Sequence, residues 1–219
     1  MKKGGVKMNS NNHMKHGGCA CGCGGHGACS QLGPFLALDH NCIGPPKENP
    51  TSTGSIIPFS SGITSVALAT VLNGLVGIPS FIGFGTAVPG LVVLGNTIDL
   101  SAILTEAFTV PRAGNITAIS ASFTALTAVT ITGAATVRAQ IYKAPAGSTL
   151  FTATNAAVDL VPAFTGLLVV GQTSFASANV APIPVAQGER LLMVYSVSGT
   201  GISLAQTVTG TASAGINIE

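Results

Sequence analysis

Every cysteine and every histidine of the chain lies before Asn49. The densest group is Cys19-Ala-Cys21-Gly-Cys23-Gly-Gly-His26-Gly-Ala-Cys29, with His13 and His16 ahead of it and His40 and Cys42 behind. Thiolate and imidazole together are soft ligands for zinc or copper. The spacing is Cys-x-Cys-x-Cys, however, and not the paired Cys-x-x-Cys of a structural zinc site. Five cysteines is an odd number, which points to at least one bond between chains or one free thiol. Three readings stay open for Cys19, Cys21, Cys23, Cys29 and Cys42. They are cross-linking between subunits, metal binding together with His26, and a reduced tail without a role. Cross-linking comes first, and no metal or cofactor is assigned.

Catalytic constellations are missing from the rest of the chain. Beyond Thr51 there is neither His nor Cys, so Ser–His and Cys–His nucleophile pairs cannot be assembled there. Asp99, Glu106, Asp159 and Glu189 could form a carboxylate pair only by chance of folding, and read as surface or ion-paired groups. Gly83-Phe84-Gly85 lacks the strand–loop–helix setting of a phosphate-binding loop. Asn115-Ile116-Thr117 fits the glycosylation sequon, a three-residue pattern of little weight alone. No enzyme is expected.

Charge is scarce. Ionisable Asp, Glu, Lys and Arg make up 7% of the 219 residues, against roughly a quarter in ordinary soluble domains. None occurs from Asn49 to Ile98, and from Thr51 onward four basic residues face five acidic ones. A free monomer shows water a mixed-charge surface, so a chain rich in Thr, Ser, Ala and Gly suits being covered by copies of itself. The lysines of the first residues read as a solvated end, and no clustered Lys/Arg footprint for nucleic acid is present. The apolar stretch Ile63 to Leu94 is long enough to raise a membrane span. Pro79, Pro89 and five glycines interrupt it, which favours strands and turns over a spanning helix. Met-Lys-Lys-Gly-Gly-Val-Lys is followed by no apolar run, so no export signal is expected.

Three regions separate by composition. Residues 1–30 are a Cys/His/Gly-rich flexible arm, too poor in large apolar side chains to fold alone. Residues 31–50 are a connector ending in Gly44-Pro45-Pro46 and Asn49-Pro50. Residues 51–219 are the folded domain. There the dominant period is two, as in Thr136 to Tyr142 and Ile116 to Phe123, which predicts half-buried strands. Leu167–Val170 and Leu191–Val194 are continuous apolar runs, expected to be strands buried on both faces. Further strands are expected at Leu91–Leu94, Glu106–Val110, Val129–Thr132, Ser203–Val208 and Ala212–Ile218. Gly/Pro turns separate them, and the whole reads as an all-β sandwich or barrel.

Two stretches resemble a known family. Ala37-Leu38-Asp39-His40-Asn41-Cys42-Ile43-Gly44-Pro45-Pro46 resembles the short exosporium leader of collagen-like glycoproteins on Bacillus-type spores, with Cys42 where that family usually has Leu or Val. From Ser52 to Ile218 the chain is similar to the C-terminal domain of the B-type member of that family. The match is carried by Ser52 to Pro58, Gly74 to Gly85, Val110 to Thr117 and Thr207 to Gly215. The resemblance implies a β jelly roll of the tumour-necrosis-factor/complement type that associates as trimers. Family members carry a collagen stalk between leader and head, whereas here Pro50 leads straight into the head. That makes the chain look like a subunit of a spore-surface fibre, such as the thin endospore appendages.

The expectation is thus a structural protein, a jelly-roll homotrimer that polymerises at the spore surface, with deposition from within the mother cell. Its partners are expected to be copies of itself and other spore coat or exosporium proteins, with no nucleic acid and no membrane. Phe35, Leu36, Leu38 and Ile43 would let the arm join stacked heads. Leu191, Leu192, Met193 and Val194 would form the trimer seam or the core. The rival reading is a trimeric, surface-displayed head that binds a receptor or glycan, as an adhesin does.

Overall fold

Alternating small polar and apolar residues build a molecule of strands. The computed structural model describes residues 54–71, 75–90, 96–101, 107–201 and 205–219, all within the unit Ser52–Glu219. The expected arm (1–30), the whole of the connector (31–50) and the expected strand Leu91–Leu94 lie outside the described residues. None of the described residues is helical. The apolar stretch after Ile63 contributes three short strands, not a spanning helix. The strands in chain order are β1 (Ser55–Ser60), β2 (Val66–Ala69), β3 (Ser80–Ile82), β4 (Ala87–Pro89), β5 (Thr97–Asp99), β6 (Phe108–Thr109) and β7 (Gly114–Ala125). They continue with β8 (Val129–Ala144), β9 (Leu150–Asp159), β10 (Phe164–Leu168), β11 (Thr173–Val185), β12 (Arg190–Thr200) and β13 (Thr207–Ile218).

The strands form two antiparallel sheets. One has the order β1-β13-β7-β11, with β2 also on β13; the other runs β4-β3-β12-β8-β9-β5, with β10 on β8 and β6 on β12. The chain passes from β7 in the first sheet to β8 and β9 in the second. It then returns to β11, crosses to β12, and comes back to β13. Because β13 pairs with β7 while β12 pairs with β8, the last two strands lie beside the earlier two in opposite sheets. That interlocking of Greek keys is a jelly-roll sandwich, and the fold is all-β as expected.

The core lies between the sheets. Ile116, Ile119, Phe123 and Ala125 of β7 and Val208, Ala212, Ile216 and Ile218 of β13 meet Ile131, Val137 and Ile141 of β8 and Leu191, Met193 and Val197 of β12. Tyr195, also on β12 and fully buried, crosses this layer and donates its hydroxyl to the carbonyls of Ser213 (2.7 Å) and Ser122 (3.2 Å). Burial pushes its phenol pKa far up. The eight-stranded sheet also buries part of its outer face. There Phe81, Ile98, Leu100, Tyr142, Phe151, Leu192 and Val194 form a second cluster. Strand β12 is therefore covered on both sides, which explains its unbroken apolar run.

The other apolar run behaves differently. Leu168 is buried, but Leu167 is 67% exposed, Val169 56% and Val170 58%. Strand β10 pairs with the first half of β8 and buries one face, Phe164 and Leu168, in the inter-sheet core; its other face is uncovered, so Leu167–Val170 is not doubly buried. The expected strands Val129–Thr132 and Thr136–Tyr142 are one strand, β8, carried through a bulge where Gly133 takes φ +85°. A side chain there would also run into the Thr200 carbonyl. The expected segment Ala212–Ile218 belongs to a longer strand, β13. Strands β9 and β11 had no sequence signal. In β11, Pro182 and Pro184 argue against a strand, yet it lies at a sheet edge, where a missing N–H costs no ladder bond.

Candidate functional site

The five strands of the first sheet read SIIPFS, VALA, GNITAISASFTA, TSFASANVAPIPV and TVTGTASAGINI, without one ionisable side chain. Charge on the strands is confined to the second sheet, at Asp99, Arg138, Lys143, Asp159 and Arg190. A sandwich of random surface would distribute charge over both outer faces. Here the strands of one sheet carry it and those of the other carry none; the charges nearest the first sheet sit at its rim, the Glu219 carboxylate on Asn217 and the Arg112 guanidinium on Ser55, both at 3.0 Å.

The uncharged face is built by the residues between the buried positions of β7, β11 and β13. Its hydroxyls are satisfied across strands. Ser120 and Ser177 share a hydrogen bond of 2.7 Å, and Thr124 and Thr173 one of 2.8 Å. Asn217 donates to Thr117 Oγ1 and to Glu219 Oε1, both at 3.0 Å. A shallow groove of about 410 Å³ runs over this face between Ile56, Ala118, Ser177, Asn179 and Asn217. A second depression of about 320 Å³ lies over Ser122, Ser213 and Gly215. Small side chains leave the sheet backbone close to the surface, and self-satisfied hydroxyls lose little when water leaves. Such a face can meet a flat, uncharged partner closely.

The charged groups on the other side are engaged locally. Arg138 donates to Asp159 at 2.9 Å, and Lys143 reaches Glu189 at 3.4 Å. Glu189 also accepts from the Ala186 N–H at 2.8 Å, closing the turn between β11 and β12. Asp99 accepts the Ser101 N–H at 2.9 Å, and that bond together with Thr149 lowers its pKa. Asp159 and Glu189 thus face cations and not each other. Phe84 of the Gly83-Phe84-Gly85 segment stacks on Phe59 at 5.4 Å and meets Phe108 at 6.1 Å, so that glycine pair frames an aromatic contact. Asn115 of the sequon is the second residue of β7, its backbone paired in both directions with Glu219. Among the described residues no group of three or more His, Cys, Asp or Glu could hold a metal.

The residues named from sequence fall as follows. Leu191, Leu192, Met193 and Val194 are 0–3% exposed within the single chain. Leu191 and Met193 sit in the inter-sheet core, Leu192 and Val194 in the outer cluster. Phe35, Leu36, Leu38, Ile43 and the cysteines Cys19, Cys21, Cys23, Cys29 and Cys42 lie outside the described residues. The face of β7, β11 and β13 was not singled out from sequence. Its signal was present in the charge-free strands, but which strands share a sheet is decided by long-range pairing.

No protein-family model matches the chain. Over 175 residues, 75% of its length, it is 28% identical to "Collagen-like protein 1" of Acanthamoeba polyphaga mimivirus, of which it spans 18%. Among solved structures, Eiger TNF from S. frugiperda overlays on 76% of this chain and 92% of its own, with a TM-score of 0.38 and 10% identity. The jelly-roll assignment rests on strand order and register and not on that overlay. The chain is a β jelly roll whose sequence is similar to part of a collagen-like protein, and both features fit a structural or surface head domain.

Proposed function

We infer that this chain is a structural, self-assembling subunit of a bacterial spore surface fibre or exosporium layer. Its heads associate as homotrimers, and N-terminal arms join one head to the next. The observation that supports this most is the uncharged outer face of the five-stranded sheet. Burying a charge costs several kcal/mol unless it is paired, and a sheet whose strands carry no charge avoids that cost except at its rim. An obligate interface is large, over ~2,000 Å², and poor in charge; this face meets the second condition, with its hydroxyls bonded to one another. The seam is therefore assigned to the outward residues of β7, β11 and β13, with Leu191 and Met193 behind them in the inter-sheet core.

The arm and the cysteines complete the reading. Phe35, Leu36, Leu38 and Ile43 supply apolar anchors for docking on a neighbouring head. Cys19, Cys21, Cys23, Cys29 and Cys42 lock the polymer covalently. The spore location rests on the resemblance of residues 37–46 and 52–218 to exosporium proteins. The test is direct. Purified full-length protein should sediment as trimers and, in negative stain, assemble into filaments or sheets. Monomers at micromolar concentration, with no assembly, would refute it.

A further inference from the structure

We propose that the outer face of the eight-stranded sheet carries a binding site for a single neutral pyranose ring, centred on Arg138, Gln140, Tyr142 and Ser196. These residues lie side by side by register. Arg138, Gln140 and Tyr142 alternate along β8 and so share one face, and Ser196 stands opposite Arg138 on β12. With Val76 and Pro79 forming a wall, they line a cavity of about 190 Å³. That is below the ~300 Å³ at which pockets for drug-sized molecules begin, so it fits one ring and not a chain of several.

The polar groups are held in place from outside the cavity. Asp159 fixes Arg138 through Nη1 at 2.9 Å, which leaves the other guanidinium N–H groups as donors. Gln140 spends its Nε2 on the Thr154 carbonyl at 2.8 Å, which leaves Oε1 as an acceptor. The hydroxyls of Tyr142 and Ser196 make no hydrogen bond among the described residues, though Tyr142 is only 8% exposed and its ring is packed in the outer cluster. Two unpartnered hydroxyls, a free amide oxygen and an oriented guanidinium thus surround one small space.

The charge balance selects the ligand. Arg138 is already neutralised by Asp159, so an acid gains no unpaired cation here. A neutral pyranose offers what remains: a rim of hydroxyls that both donate and accept, and a C–H face to lie on Val76, Pro79 and the edge of the Tyr142 ring. The site lies on the sheet opposite the uncharged face and stands whether or not the heads trimerise.

The test is saturation-transfer NMR on the full chain, with glucose, galactose, mannose and N-acetylglucosamine as probes and glucuronate as the charged comparison. At least one neutral sugar should receive transfer at its ring C–H protons, more strongly than glucuronate. Tyr142→Phe with Ser196→Ala, which keeps the packed ring and removes only the hydroxyls, should weaken that sugar about tenfold or more, as expected for two lost hydrogen bonds. Ser196→Ala alone gives a smaller loss and guards against disturbance of the Tyr142 cluster. No transfer to any neutral sugar would overturn the site. So would preference for glucuronate, or affinity unchanged in the double variant.

Discussion

Ser213→Asp places one carboxylate in the middle of the uncharged sheet. Ser213 lies on β13, opposite Ser60 of β1 on one side and Ser122 of β7 on the other, and its side chain is exposed in the single chain. In a monomer the new carboxylate meets water, and the effect on folding should stay within ~0.5 kcal/mol. In a dry trimer seam the same group has no partner. Desolvation costs at least ~2 kcal/mol per copy. Protonation sets an upper limit: taking up a proton at pH 7 against a pKa of ~3.9 costs ~4 kcal/mol. Three copies therefore lose ~6–12 kcal/mol, which raises the trimer dissociation constant by about four to nine powers of ten. Sedimentation equilibrium reads this directly, with circular dichroism as the check on folding. The penalty should shrink as pH falls toward 4, because the carboxyl then enters the seam neutral at no cost. Ala146→Asp, in the exposed turn between β8 and β9, is the control and should leave the mass unchanged. If Ser213→Asp stays trimeric with the wild-type dissociation constant at pH 7, the seam is not this face.

Tyr195→Phe removes the hydroxyl that ties β12 to β13 and β7, and should cost ~1–3 kcal/mol in urea unfolding because two buried carbonyls lose a donor. Since burial raises the Tyr195 pKa above its unfolded value near 10, its contribution is complete below pH ~10 and falls above it. The decline of stability above that pH should be shallower in the Phe variant. Gly133→Ala forces a side chain into a left-handed backbone and onto the Thr200 carbonyl, and should lower stability by ~1–3 kcal/mol and broaden amide signals of β8 and β12. Deleting residues 1–49 should leave folded trimers that no longer form filaments, seen by negative stain. Replacing all five cysteines by serine should still allow filaments, which then come apart in hot detergent where the wild type resists. If a chelator and not a reductant removes that resistance, metal at Cys19–Cys29 with His26 replaces the disulfide reading.

The parts of the fold legible in sequence were those set by local pattern. Period-two alternation marks Ile116–Phe123 and Thr136–Tyr142, and the doubly apolar Leu191–Val194 is buried on both sides. Edges were less legible. Strand β11 carries two prolines and mostly small residues, and only its place at the rim of the sheet makes that tolerable. Leu167–Val170 misleads for the converse reason, since apolar residues in a row do not reveal whether anything covers them. The candidate faces depend on register. Ser120, Ser177 and Ser213 come from three distant segments, and nothing local tells that they share a surface. Arg138 and Ser196 are likewise joined only by the pairing of β8 with β12.

The division of charge between the two sheets joins these results into one argument. Sequence shows that charge is scarce; the sandwich shows that what remains is kept off the strands of one sheet. Charges left on the second sheet are held in local pairs, as with Arg138 and Asp159, while the Tyr142 and Ser196 hydroxyls make no bond among the described residues. A head that self-associates through the first sheet still turns the second to solvent. Assembly and ligand contact then use opposite sides of the same sandwich. This separation has a measurable consequence: Ser213→Asp should dissociate the heads without altering sugar transfer at Tyr142 and Ser196, and Tyr142→Phe with Ser196→Ala should do the reverse. Loss of both properties in either variant would mean that the two faces are not independent.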